Sequence, residues 1–388
     1  MRRRAFLQCG AVTLALAMTG APVRGEETIG IGLILPMTGP FASTGKQIAA
    51  GANLYMRQSG DSIAGRKIEL IVKDDAGTAD VTKRLAQELI VNDKVTAIAG
   101  FGLTPLALAA APVATQAKTP MIVMSAATAI VTERSPFIVR TSQVVPQISA
   151  PFGTWAAQQG MKKIITLVTD YGPGHDVEKW FSDAFKAGGG QVENLRVPLQ
   201  NPDFAPFLQR AADAKPDALL VFVPSGVGAQ FMKQFVERGL DKGGIRLIGT
   251  GDVTDDDLLD GMGEAALGVV TAHHYSAAHD SPENRLFVEA FRKANGGLRP
   301  NFMAVHGYDG MHALYEGLKK TSGAGGEALV DAMKGLAWTS PRGPVSIDPE
   351  TRDIVQNVYI RKVERMNGEL YNAEFATIPG VKDPSKVK

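Results

Sequence analysis

The chain has 388 residues, a formal charge of +1 and a single cysteine, and 45% of its residues are hydrophobic. Its length is enough for two domains, one cysteine rules out a disulfide framework, and no basic patch points to nucleic acid. No apolar run reaches the roughly 20 residues that a membrane-spanning helix needs.

The N-terminus reads as a leader. Arg2, Arg3 and Arg4 precede a short apolar stretch over residues 10–21, and Val23-Arg24-Gly25 offers a cleavage site before Glu26. A basic head, a short apolar middle and small residues in that order describe a secretory signal peptide over residues 1–25. Arg3-Arg4-Ala5-Phe6-Leu7 also fits the twin-arginine pattern. Cys9 lies before the apolar run, where a lipoprotein cysteine would follow it, so no lipid anchor is expected. Loss of Arg2, Arg3, Arg4 and Arg24 takes the charge from +1 to −3. The expected location is the periplasm.

Beyond the leader, short Ile- and Val-rich runs alternate with helical apolar spacing. Strands are expected over 29–35, 68–74, 95–100 and 121–124, with helices over 46–58, 81–92 and 105–117 between them. A second round follows, with strands over 164–169, 192–198, 218–223 and 245–249 and helices over 176–186, 204–214 and 228–238. Alternation of this kind builds parallel sheets covered on both faces. Two rounds imply an α/β protein of two doubly wound parallel-sheet lobes. Helices over 282–294, 303–320 and 327–335 read as chain returning to the first lobe, and strands from 355 onward as closing the second. The expected division is 26–144 with 275–350 for lobe 1, and 145–274 with 351–388 for lobe 2.

Open α/β sheets bind ligands beyond the carboxyl ends of their strands. The loops there, 36–45, 100–105, 125–128, 170–174, 224–228 and 250–255, are rich in Gly, Ser and Thr. Such loops at helix starts offer N–H groups and hydroxyls to an anion such as a carboxylate, although the same residues also cap helices for structural reasons.

Leu35-Pro36-Met37-Thr38-Gly39-Pro40-Phe41-Ala42-Ser43-Thr44-Gly45, then Asp74-Asp75, Ser125-Ala126-Ala127-Thr128 and Tyr171-Gly172, occur in an order that resembles the leucine/isoleucine/valine-binding proteins. The resemblance implies two lobes joined by a three-segment hinge, closure on ligand, and delivery of solute to the membrane permease of an ABC importer. It also implies a binding site. Thr104, the Ala126 N–H and Thr128 would hold a carboxylate, with Leu103 and Ser125 beside them. Thr44 would form a more open wall, Tyr171 a cover, and Phe302 or Met303 the apolar pocket. Ser225 belongs to the second-lobe side. Positions where the family carries acids for an ammonium group fall near Val145 and Gly251, with Asp252 adjacent. Losing one acid or both favours an aromatic carboxylate slightly over a branched-chain amino acid, and His274, within His273-His274-Tyr275 at the crossover, could assist a phenol or carboxylate.

Other chemistry has little support. Adjacent His273 and His274 on an extended chain would point to opposite faces, and Asp252, Asp255, Asp256 and Asp257 lack the EF-hand pattern, reading instead as an acidic helix start. Gly30-x-Gly32 sits within a strand, so no dinucleotide or other cofactor is expected. No metal site, nucleic-acid contact or enzymatic activity is expected, and a monomer is. A ligand-sensing regulator on the same fold and, less favoured, an exported enzyme remain as alternatives.

Overall fold

A computed structural model describes residues 28–387. The leader over 1–25, with Cys9, and the start at Glu26 lie outside the described residues.

The first round is β1 (Ile29–Leu35), α1 (Ala42–Ser59), β2 (Ser62–Ile63), β3 (Arg66–Asp74), α2 (Ala79–Val91), β4 (Ala97–Gly100), α3 (Thr104–Ala117), β5 (Met121–Val123) and β6 (Ile138–Arg140). Its sheet runs β2-β3-β1-β4-β5-β6, parallel except for the β2–β3 pair. All seven residues of β1 are buried, as expected of a strand with helices on both faces.

The second round is α4 (Val145–Gln158), β7 (Lys163–Thr169), α5 (Gly172–Ala187), β8 (Gln191–Val197), α6 (Ala205–Ala214), β9 (Ala218–Phe222), α7 (Gly228–Glu237), β10 (Arg246–Thr250), α8 (Leu259–Met262) and β11 (Val270–His273). The chain then returns through α9 (Pro282–Ala294), α10 (Phe302–Lys320) and α11 (Gly326–Met333). It finishes with β12 (Ala337–Ser340), β13 (Gly343–Ile347), β14 (Ile354–Met366) and β15 (Glu369–Val381). Side-chain caps start two of these helices: Ser281 accepts from Asn284 N, and Asn301 accepts from Met303 N and Ala304 N.

The second sheet runs β12-β13-β14-β11-β10-β9-β7-β8, with β15 on β14. Its β7 to β11 core is parallel and the β11–β14 extension antiparallel. This extension crosses the expected division of the chain. β12 and β13 lie within the 275–350 segment assigned to lobe 1, yet they join the second sheet through β14. The side chains of Val345 and Ile347 nevertheless pack with Ile29, Leu33 and Leu314 in the first-lobe core. Backbone and side chains of this segment therefore serve different lobes.

Three crossovers join the lobes, near 141–144, 274–281 and 348–353, and each is held by a fully buried guanidinium. Arg342 donates to the Thr141 and Ser142 carbonyls at 2.6 and 2.7 Å and pairs with Asp309 at 2.8 Å. Arg361 donates to the Tyr275 carbonyl and to Thr271 Oγ1. Arg140 pairs with Asp353 at 2.8 Å and donates to the Ala126 and Thr128 carbonyls. A planar five-donor fork suits such a place, because it satisfies several carbonyls that the ladders leave free.

Candidate ligand-binding cleft

The carboxyl ends of the two sheets face each other across a narrow cavity. From the first lobe come Thr44 on α1, Gly102, Leu103 and Thr104 at the start of α3, and Ser125, Ala126 and Ala127 after β5. From the second come Tyr171 and Pro173 at the start of α5, Phe222, Pro224 and Ser225 at the end of β9, and Asp252 after β10. Gln143 enters from the first crossover and Met303 from the start of α10.

The lobes touch directly, so this is the closed form. Thr44 Oγ1 reaches the Ser225 carbonyl at 3.5 Å, Ser43 Oγ donates to Asp257 at 3.1 Å, and Ala129 N donates to Asp176 at 2.9 Å. Gly172 lies so close to Thr128 that a Cβ there would fall 2.6 Å from its Oγ1. Only glycine allows α5 to seat against the 125–128 loop.

The first-lobe wall is built for an anion. Thr104 opens α3, whose N-terminus carries the positive end of the helix dipole; Pro105 brings no N–H, and Leu106 N already donates to the Leu103 carbonyl at 3.1 Å. Thr104 and Thr128 share a 2.9 Å hydrogen bond between hydroxyls, and Ser125 Oγ donates to the Gly102 carbonyl at 2.8 Å. Ala126 corrects one expectation: its N–H donates to the Phe101 carbonyl at 3.1 Å, so that donor is already engaged. The second-lobe wall is flatter and apolar, with the Tyr171 and Phe222 rings stacked at 6.1 Å and 18° beside Pro173 and Pro224.

Among the described residues lining the cavity there is no Lys, Arg or His, and Asp252 is the one carboxyl group. Burial pushes the Asp252 carboxyl up to about 6, opposed by the Thr250 hydroxyl, by its own backbone N–H and by the Arg361 guanidinium. Burial and the neighbouring Asp252 charge push the Tyr171 phenol well above its usual value.

Of the residues expected at the site, Thr44, Leu103, Thr104, Ser125, Ala126, Tyr171, Ser225, Asp252 and Met303 line the cavity. Four others stand behind it. Thr128 acts through its bond to Thr104. Val145 opens α4 and packs in the second-lobe core with Ile148 and Phe152. Phe302 lies edge-on to His273, ring centres 4.2 Å apart. His274 is buried and stacks on His306, with a 2.7 Å contact between their Nε2 atoms. Ser225 spends its hydroxyl on Asp255 at 2.8 Å.

The His273 and His274 rings, expected on opposite faces, lie 4.2 Å apart, because β11 ends at His273 and strand alternation stops there. Burial holds both, with His306, well below the usual imidazole range, and the Arg361 and Arg342 charges add to it, so all three are neutral. The acidic run is likewise not an exposed helix start. Asp255 accepts from Ser225 and Gly226, Asp256 from Asn372, and Asp257 from Ser43 and Asn301. Gln143 and Phe222 were not anticipated. Phe222 follows from the strand-end rule once β9 is known to end there; Gln143 sits in a crossover, which that rule does not cover.

A second cavity, of about 430 Å³ and lined by Trp155, Phe235 and Phe375 among others, opens at the amino ends of β10 and β11. That is the wrong edge of a parallel sheet for ligand capture.

Comparison with known proteins agrees with this architecture. A family profile described as periplasmic binding protein matches residues 28–369. The chain belongs to that family. It is 43% identical over 378 residues to a Leu/Ile/Val-binding protein homolog 6 from Brucella melitensis biotype 1, covering 96% of this chain and 97% of the relative. A solute binding protein of an ABC transporter from Rhodopseudomonas palustris BisB5, solved in complex with 3,4-dihydroxy benzoic acid, superposes with a TM-score of 0.91 at 65% identity, covering 93% of this chain and 99% of that one. Its counterpart from Rhodopseudomonas palustris HaA2, solved with p-hydroxybenzoic acid, gives 0.89 at 41% identity, covering 93% and 99%. As a periplasmic binding protein of the ABC-importer type, the chain is a receptor for a small molecule that works with a membrane permease.

Proposed function

We propose that the protein captures a small aromatic carboxylate in the interlobe cleft and presents it to an ABC permease. The observation that carries this reading is the cavity itself. Its first-lobe wall holds hydroxyls and a helix start suited to a carboxylate, and its second-lobe wall is flat, with Tyr171, Phe222 and two prolines. The aromatic acids bound to two similar receptors support it. Thr104 serves the carboxylate, oriented by Thr128 through their shared hydrogen bond, with the helix start of α3 in place of a cation. Leu103, Thr44, Tyr171 and Met303 enclose the ring. Membership of the periplasmic binding protein family supports binding as the role.

The leader over 1–25 directs export, by the twin-arginine route, and the mature protein begins near Glu26 as a soluble periplasmic monomer. Its lobes divide near residues 144 and 274, and the third crossover lies near 350. Mass spectrometry of the exported protein should show loss of the leader; an intact Met1, or lipid on Cys9, contradicts this.

Asp252 sustains a second reading, in which the ligand is a branched-chain amino acid and the carboxylate pairs with its ammonium. A thermal-shift panel separates the two, because a ligand that binds only the native state raises its stability. Benzoate derivatives should raise the melting temperature at micromolar to millimolar concentrations, and leucine, isoleucine and valine should not. The opposite ranking overturns the aromatic reading.

A further inference from the structure

A ligand that carries a carboxylate meets an unusual partner in this cavity. Asp252 is 4% exposed and faces the cavity, and no lining residue supplies a positive charge to neutralise it. Its nearest basic neighbour, His273 Nε2, stands 3.8 Å away, too far for a hydrogen bond, and is neutral. Like charges repel strongly at such a depth. The ligand's carboxylate therefore sits on the first-lobe side, at the α3 start, and whatever it turns toward Asp252 must be a hydrogen-bond donor.

A second group makes the same demand. Gln143 is 2% exposed, lines the cavity, and its buried Oε1 receives no hydrogen bond from the described residues. Buried acceptors are satisfied as a rule, and at a binding cavity a ligand donor can supply the missing partner. A bare benzoate ring has no O–H or N–H to offer to either acceptor. A hydroxylated ring does.

Resting on the aromatic-acid reading, the geometry points to Asp252 and Gln143 as the specificity-determining acceptors for ring hydroxyl groups, so that the receptor selects hydroxylated benzoates over benzoate. Two acceptors of different kind leave room for one or two hydroxyls. A site built to pair with a hydroxyl rejects the analogue lacking it, because its own polar groups then stay buried and unpaired.

Isothermal titration with benzoate, 4-hydroxybenzoate, 3,4-dihydroxybenzoate and leucine tests this on the mature protein. At least one hydroxylated acid should bind tenfold or more tightly than benzoate, the step expected for a hydrogen bond to a charged group. Asp252→Leu should erase most of that preference, weakening the hydroxylated acid far more than benzoate. Gln143→Met, close in size and without an amide, should shrink the ratio of hydroxylated-acid to benzoate affinity several-fold. The wild-type ligand series decides the matter even where a variant folds poorly. Equal wild-type affinities for benzoate and both hydroxylated acids overturn the proposal, and so does a preference that survives both substitutions. Binding of leucine with no benzoate bound refutes instead the aromatic reading beneath it, and turns Asp252 into an ammonium partner.

Discussion

Closure of the cleft depends on one missing side chain. Gly172 starts α5 and meets Thr128 across the interface. A Cβ at 172 would lie 2.6 Å from Thr128 Oγ1 and 3.3 Å from its Cγ2, against 3.4 Å or more for ordinary contact. Gly172→Ala therefore asks the lobes to stay about 0.8 Å further apart at this point, or to strain by an amount typical of overpacking, about 1–3 kcal/mol. The backbone of Gly172 is helical, so alanine adds no strain of its own, and the open form, in which the two loops separate, escapes the penalty. The whole cost falls on the closed, ligand-bound state and should raise the Kd about 5- to 150-fold. Titration calorimetry with 4-hydroxybenzoate measures that change, and urea unfolding of the ligand-free protein should show no matching loss. Thr128→Ala leaves only a Cβ, 3.5 Å from the new methyl. The double variant should thus bind no worse than Thr128→Ala alone. The reasoning is refuted if Gly172→Ala binds like wild type, or if the double variant shows the two losses simply added.

Three other predictions concern single groups. Thr104→Val keeps the shape of the α3 start and removes one hydroxyl; affinity for a carboxylate ligand should fall about tenfold or more, and an unchanged Kd in calorimetry would count against a carboxylate at this wall. Asp252 titrates near 6 in the folded protein against 3.8 when unfolded, so the folded state holds the proton more tightly and stability should rise as pH falls from about 6 to about 4. The ionised form costs folding on the order of 3 kcal/mol above pH 6; urea unfolding across that range should show Asp252→Asn more stable than wild type at pH 7.5 and level with it at pH 4. Arg342→Met leaves the buried Asp309 charge and the Thr141 and Ser142 carbonyls without their partner. It should cost about 3–5 kcal/mol in chemical unfolding, and a loss under 1 kcal/mol would show that the first crossover does not depend on this clamp.

What the amino-acid order determined by itself is the layered architecture and most of the cavity edge. Buried parallel strands must be continuous runs of Ile, Val, Leu and small residues, so β1, β7, β9 and β10 are legible at sight, and the strand-end rule then points to Thr104, Ser125, Tyr171, Ser225 and Asp252. Signals that are short or mixed were lost. α4 carries Pro146 and Pro151 and shows no clear helical period, and it holds together because its Phe152 face packs on Phe181 of α5. β6, β11, β12 and β13 have three to five residues each, and their neighbours in the sheets define them more than their own composition does. Direction was decided only in three dimensions. Val145 and Phe302 lie beside the cavity residues Gln143 and Met303 in sequence, and His274 sits at the second crossover, yet all three turn into the packed interior. Charge carries the same lesson. Nothing in the sequence marks Arg140, Arg342 and Arg361, yet they are fully buried, because three crossovers gather carbonyls that no ladder satisfies. Gln143 belongs to this class too: only the meeting of two lobes brings it to the cavity that Asp252 lines.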